Sequence, residues 1–251
     1  MVALRGINRF QAFGWHFLMS VAVASLLASI VFFVWFPQAL AYASGVSEIF
    51  MLLVVVDVVL GPIITLIVFN PAKKELRRDL SIVVVIQLGA LLYGMYSVFL
   101  ARPVYLVFNT DRFDVVYASD LTKKHLIAAE MVSRWALPLI GPDVVGAKLP
   151  ADPVLAQKIM YDAVTTGEDV QYRPQYYVAY AEMEAIVKAQ MQSIEKLSEN
   201  NLSQSKDIDA LMTKYRGRDV GYLPVMARAY NVVGIVGRGT GELLEVYKLN
   251  P

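Results

Sequence analysis

The chain of 251 residues has no cysteine and only two histidines, His16 and His125. Without cysteine there are no disulfides, thiol nucleophiles, thiolate zinc sites or iron–sulfur clusters. That suits an oxidising compartment, where a lone thiol is a hazard. Two histidines are too few for a multi-histidine metal centre. Charge of one sign is missing as well: 23 Lys and Arg against 22 Asp and Glu leave a formal charge of +1. No basic stripe of the kind that nucleic acid selects is present, so no nucleic-acid partner is expected. A Gly-Lys-Ser/Thr phosphate loop and a Gly-x-Ser-x-Gly elbow are both absent, which leaves His125 without a hydrolytic setting and the chain with no expected cofactor.

Apolar residues are abundant, at 57% of the chain with a mean hydropathy of +0.48, and they are unevenly placed. Three apolar stretches fill residues 1–100, at about 13–36, 49–69 and 80–100. Each is long enough to cross the ~30 Å hydrocarbon interior as a helix. Arg5 and Arg9 precede the first, and Ala39-Leu40-Ala41 after it resembles a signal-peptidase site. A signal sequence has an apolar core of only about 7 to 15 residues, so a retained helix is expected. Trp35, Phe36 and Pro37 suit its outer interface, and Gly61-Pro62 is expected to kink the second helix.

The loop 38–47 has no Lys or Arg, whereas Lys73, Lys74, Arg77 and Arg78 crowd the loop 72–79. Positive residues are retained in the cytoplasm, so these four set the topology. The N-terminus is expected inside, and residues 101–251 outside as a separate domain. That length suffices for one folded core.

Beyond Arg102-Pro103 the pattern predicts an α+β domain with an antiparallel sheet. Residues 104–108 and 113–117 read as a hairpin; 223–229, 232–236 and 243–249 read as a meander. Asp120 is placed to cap a helix reaching Val132, and Asp152-Pro153 opens another. A tyrosine-rich strand is expected over 171–180, one helix over 182–197 and a flexible connection over 198–205. The glycines at 234, 237, 239 and 241 invite a nucleotide-loop reading, but a strand and not a helix follows them, so Gly239-Thr240-Gly241 reads as a hairpin turn.

Several segments are specific enough to carry a family resemblance. They are Val56-Asp57-Val58-Val59-Leu60-Gly61-Pro62-Ile63-Ile64-Thr65-Leu66-Ile67-Val68-Phe69-Asn70-Pro71 before Lys73-Lys74, Arg102-Pro103-Val104-Tyr105-Leu106-Val107-Phe108, and Gln171-Tyr172-Arg173-Pro174-Gln175-Tyr176-Tyr177. Over nearly its whole length the chain resembles the TfpX/TfpZ family of type IV pilin accessory proteins. The resemblance implies a multi-pass protein of the bacterial inner membrane with a periplasmic domain. It also implies a non-enzymatic, pilin-specific helper or chaperone that promotes pilin stability, assembly or pilus dynamics. The implied partners are the lipid bilayer, a cognate pilin and other inner-membrane components of pilus assembly. The family brings no catalytic residue. A periplasmic ligand-sensing module, or an envelope enzyme built on carboxylates such as Asp111, Asp114, Glu168 and Asp169, remain the alternatives.

Two sets of candidate contact residues stand out. Asp57 lies near the middle of the second span, where a carboxyl is costly unless paired or protonated. Counting ~1.5 Å per residue puts Ser25 and Tyr93 at similar depth, with Gln87 lower. The set is either an interhelical hydrogen bond or a polar contact for a pilin's membrane helix. An intramembrane aspartyl peptidase needs two carboxylates, and no second acid lies within a span. The other set, Tyr172, Arg173, Tyr176, Tyr177 and Tyr180, has the composition of a recognition surface. Its alternative is a tyrosine-lined core with Arg173 paired to a nearby carboxylate such as Asp169. Arg102 is expected to extend to the outer headgroups, and His125 to lie on the surface.

Overall fold

The computed structural model describes residues 8–132 and 137–251; Arg5 lies outside the described residues. The chain forms two compact bodies. One takes the chain up to Phe33 together with Val46–Leu100, and the other takes Val34–Gly45 together with Ala101–Pro251.

The first body is built from three apolar helical segments, Arg9–Trp35, Val46–Val68 and Leu76–Leu100, of 27, 23 and 25 residues. At ~1.5 Å per residue, even the shortest exceeds the ~30 Å bilayer interior. Helix α1 (Arg9–Ser29) opens on a capping box in which Asn8 and Gln11 exchange side-chain and backbone hydrogen bonds of 2.9 and 3.0 Å. Its last turn, Ile30–Trp35, widens to a π-helix. Apolar side chains point outward along all three segments: Ile67 is 76% exposed and Leu92 is 69% exposed. Such continuous apolar exposure is at home in hydrocarbon.

After α2 (Leu40–Ser44), which belongs to the second body, the second segment runs through α3 (Val46–Val54), a π-helical turn (Val55–Leu60) and α4 (Gly61–Val68). At Gly61-Pro62, where the sequence predicts a kink, Leu60 and Gly61 keep helical dihedrals directly after the π-helical turn. The Gly61 N–H donates to the Val56 carbonyl, five residues back. In a regular helix the Pro62 ring meets the carbonyl four residues earlier, and the wider turn before it gives that ring room. Helix α5 (Leu76–Leu100) packs on α4 and α3. Gly61 and Gly94 mark the closest approaches: a Cβ at Gly61 lies 1.7 Å from Gln87 Nε2, and one at Gly94 lies 2.5 Å from Leu53 Cδ1.

The second body centres on a seven-stranded sheet. Its strands are β1 (Pro103–Asn109), β2 (Arg112–Tyr117), β3 (Asp143–Ala147), β4 (Tyr177–Ala179), β5 (Val220–Met226), β6 (Val232–Gly237) and β7 (Leu243–Tyr247), in the order β4-β3-β1-β2-β5-β6-β7. The hairpin β1–β2 and the meander β5–β6–β7 are antiparallel, as their turn residues predict. Two parallel pairings, β1 with β3 and β2 with β5, join these pieces into a mixed sheet. No local pattern signals them, because they arise between strands distant in sequence.

Strand β1 is buried from Pro103 to Phe108, which explains its unbroken apolar run. Leu106 and Phe108 face a core shared with Phe113, Leu223, Val225 and Val246. Tyr105 and Val107 face the other side, with Val116, Val145 and Ile159 of α7 (Pro153–Thr165). A third cluster covers the β5–β7 end with α9 (Ile194–Asn200) and α10 (Ser205–Lys214).

The sequence predicts residues 34–36 within the first span and 38–47 as a loop, but the segment 34–45 is part of this domain. Leu40 and Ala43 of α2 lie in the first core. Ala43 O accepts from the N–H groups of Ala229 and Tyr230, both at 3.0 Å, and the Val246 N–H donates to Gln38 Oε1 at 2.6 Å. Ser44 Oγ accepts from the Tyr117 hydroxyl at 3.1 Å, and Tyr42 stacks on Tyr230.

Three further expectations are corrected. The helix predicted over 182–197 is divided into α8 (Glu184–Gln190) and α9, because Gln192 leaves the helix to pair with Tyr222 through two 2.9 Å backbone hydrogen bonds. Gly221 permits that approach, since a Cβ there lies 2.7 Å from Gln192 O. The connection 198–205 is ordered around Asn201, whose side chain donates to the Leu197 and Asn250 carbonyls and accepts from the Asn250 N–H. Asp120 sits in a 3-10 turn before α6 (Lys123–Val132), accepting from the Tyr117 N–H at 2.9 Å and pairing with Arg228 at 2.8 Å. Asp152 does cap α7 as predicted, accepting from Val154 N at 2.8 Å.

Candidate functional site

In the helical body, α1, α3, the π-turn and α5 enclose a groove of about 320 Å³. Its walls are apolar, formed by Met19, Val23, Leu27, Phe50, Leu53, Val84 and Leu91 among others. The polar exceptions are His16, Ser20, Asp57 and Gln87. Asp57 Oδ2 and Gln87 Oε1 are buried and have no hydrogen-bond partner. Two unmatched acceptors in an apolar setting are costly, and they call for a donor. Gly61, one turn after Asp57, supplies the space for the Gln87 amide. His16 Nδ1 lies 2.6 Å from Thr65 Oγ1, tying α1 to α4 at one end of the groove.

Only one member of the set Asp57, Ser25 and Tyr93 lines this groove. Ser25 is exposed, and Tyr93 is 74% exposed with its side chain on the outside of the bundle. Counting residues along a helix fixes depth but not the direction in which a side chain points, because successive residues turn about 100°. Gln87, at a different count, faces the groove instead. The signal for it is the pairing of a mid-span glutamine with a mid-span glycine on a neighbouring helix.

The tyrosine segment is partly built into the domain: Tyr177 is buried, and Tyr172, Arg173, Tyr176 and Tyr180 are part-exposed. Residues 170–176 form two 3-10 turns, and only Tyr177–Ala179 is a strand. Tyr177 is buried against Tyr105, and its hydroxyl donates to the Gln171 carbonyl at 2.5 Å. Burial pushes the Tyr177 hydroxyl well above its ordinary pKa. Tyr172 and Tyr176 are half-buried beside the same core, and the Tyr180 hydroxyl donates to Gly241 O at 2.6 Å. Arg173 pairs with Asp162 at 2.7 Å and reaches Glu168, not Asp169. Hydrogen bonds from Lys158 and Arg173 hold the Asp162 carboxyl below the usual range.

Other expected surface groups are also inside. Arg102 is 4% exposed, and its Nε donates to Pro138 O at 3.3 Å rather than reaching headgroups. His125 is buried, with Nδ1 accepting from the Thr122 N–H. Of Asp111, Asp114, Glu168 and Asp169, Asp114 is buried on β2. Burial raises its pKa to about 6 against the opposing effect of Arg112, whose Nε lies 3.3 Å away, while Asp169 and Asp111 push it further up. Among the described residues no group of His, Asp or Glu is arranged to hold a metal ion. In the loop 72–79, Lys73 pairs with Asp79 and Arg78 with Glu75, while Lys74 and Arg77 are exposed.

Three helices long and apolar enough to span a membrane, with a mixed α+β sheet domain, define the class: a membrane-anchored protein with one folded domain. The family model Fimbrial assembly protein FimB matches residues 5–45. The chain is 35% identical over 204 residues to the fimbrial assembly protein of serogroup I from Dichelobacter nodosus, across 80% of this chain and 79% of that one. It is 34% identical over 206 residues to the serogroup E1 protein of the same organism, across 81% and 79%. To the serogroup C1 and C2 protein it is 44% identical over 110 residues, across 43% of this chain and 84% of that one. The chain belongs to the fimbrial assembly protein family. No solved structure matches it.

Proposed function

We propose that this protein is a type IV pilin accessory protein, of the kind its resemblance to the TfpX/TfpZ family implies. It resides in the bacterial inner membrane with the N-terminus in the cytoplasm and the sheet domain in the periplasm. It acts without catalysis, holding a cognate pilin subunit before or during fibre assembly. The observation that carries the reading is identity spread over four-fifths of the chain with proteins described as fimbrial assembly proteins.

The groove supports a division of labour within this reading. A membrane-embedded subunit presents an apolar helix, and the groove presents apolar walls with two acceptors, Asp57 Oδ2 and Gln87 Oε1, that a donor on that helix would satisfy. The periplasmic domain is then held where it meets the subunit's head. The basic cluster Lys73, Lys74, Arg77 and Arg78 supports the stated orientation. A retained first helix is supported by α2, since removing the chain through Ala41 would take Leu40 from the domain core.

The experiment is recovery of detergent-extracted full-length protein with cognate pilin and with an unrelated pilin. Preferential recovery of the cognate subunit is expected, weakened in Asp57→Leu without loss of the protein itself. Equal recovery of both subunits, or of neither, rejects the reading.

A further inference from the structure

The connection from α6 to β3 contains Leu137-Pro138-Leu139-Ile140-Gly141-Pro142, six residues without one polar side chain. Leu139 is 64% exposed and Ile140 is 78% exposed. The backbone on both sides of this pair is fixed. The Gly141 N–H donates to Val34 O at 2.7 Å, and Nε of the buried Arg102 donates to Pro138 O at 3.3 Å. Gly141 turns the chain at φ +57°, a left-handed conformation that favours glycine.

The positions of the two clamps are informative. Val34 belongs to the last turn of the first membrane-spanning segment, Arg9–Trp35, and Arg102 follows the end of the third, Leu100, by two residues. Both are points at which the chain leaves the bilayer. A loop held at both points lies at the membrane surface by chain continuity alone. Among the described residues of this loop, the two most exposed side chains are the branched apolar groups of Leu139 and Ile140.

We propose that Leu139 and Ile140 form an interfacial anchor that dips into the lipid leaflet on the domain's side of the membrane. The occupant of this surface is the boundary between headgroups and acyl chains. The depth is self-limiting. Apolar side chains gain from entering hydrocarbon, but an irregular backbone carried further in would strand its N–H and C=O groups. The anchor adds a third attachment to the two covalent ones and so restricts rocking of the domain about its linkers. It depends on the spans crossing the bilayer, not on the identity of any protein partner.

The cysteine-free chain makes the test direct. Ile140→Cys, and separately Leu139→Cys, carries an environment-sensitive fluorophore on full-length protein in phosphatidylcholine–phosphatidylglycerol vesicles. Because both side chains are exposed, substitution leaves no internal cavity. The expected result is blue-shifted emission and loss of emission when lipids carry a nitroxide near the top of the acyl chain. Emission insensitive to the lipid nitroxide at both positions overturns the proposal. Added iodide then distinguishes a solvent-exposed loop, which it quenches, from a loop covered by another protein surface, which it does not.

Discussion

The two bodies solve opposite packing problems with the same residues. In the helical body, Leu92 and Ile67 point outward and the interior holds Gly61, Gly94, Gln87 and Asp57. In the sheet domain, Leu106, Phe108 and Phe113 are inside, and buried polar groups such as Asn201 and the Tyr177 hydroxyl have partners. Against water, burying apolar surface stabilises a fold. Against lipid that force is absent, so close contact between helices and polar complementarity hold the bundle. An unmatched polar atom therefore carries different meanings on the two sides. Asp57 Oδ2 and Gln87 Oε1 open onto a groove, whereas Asp114 Oδ2 is enclosed within a folded sheet.

The comparison is broken most severely by emptying the domain core. Phe113→Ala removes a ring packed edge-on to Phe108, 5.4 Å between centroids, and should destabilise the domain by about 3–5 kcal/mol. Thermal unfolding of the full chain in detergent measures this. Next in size is the pH response of Asp114. Its folded pKa of about 6 exceeds the ordinary 3.8, so between those values the folded chain keeps a proton that the unfolded chain releases. Stability should therefore fall as pH rises through that window, by at most about 3 kcal/mol. Asp114→Asn should remove this dependence in melting curves taken from pH 4 to 7.

Gly221→Ala comes third. The added methyl meets the Gln192 carbonyl, a backbone atom that cannot swing aside, and the cost should be about 1–3 kcal/mol. Loss of amide-exchange protection at Gln192 and Tyr222 would localise the damage to their bridge. The smallest effect sharpens the contrast. Leu92→Ala deletes as many apolar atoms as many core truncations, yet the side chain faces lipid, and the change should be under about 0.5 kcal/mol. A loss comparable to that of Phe113→Ala would show that Leu92 faces protein and not hydrocarbon.

How far the sequence was legible follows the same division. The apolar spans, the β1–β2 hairpin, the β5–β7 meander and the Asp152 cap are written in local patterns, since each depends on residues within a few turns of one another. The tyrosine segment was open in the sequence, because its composition fits an interface and a core equally well. Tyr177 resolves to core only when Tyr105 arrives from a strand 72 residues earlier. Arg102 did mislead: it is polar, and it is buried with a hydrogen-bond partner, Pro138, 36 residues away. The segment 34–45 was the largest omission. Nothing in residues 38–44 announces that their hydrogen-bond partners are Tyr117, Ala229 and Val246.

The sequence by itself determined where the chain is apolar enough to cross a bilayer, that thiol-based and multi-histidine sites are excluded, and which strands pair with their immediate neighbours. These follow from side-chain type and short-range periodicity. Only the tertiary structure decided the parallel pairings β1–β3 and β2–β5, the capture of Leu40 by the sheet domain, and the facing of Gln87 rather than Tyr93 toward the groove with Asp57. Those are matters of azimuth and long-range contact. They are set when distant segments compete for the same buried surface, a competition that no local pattern records.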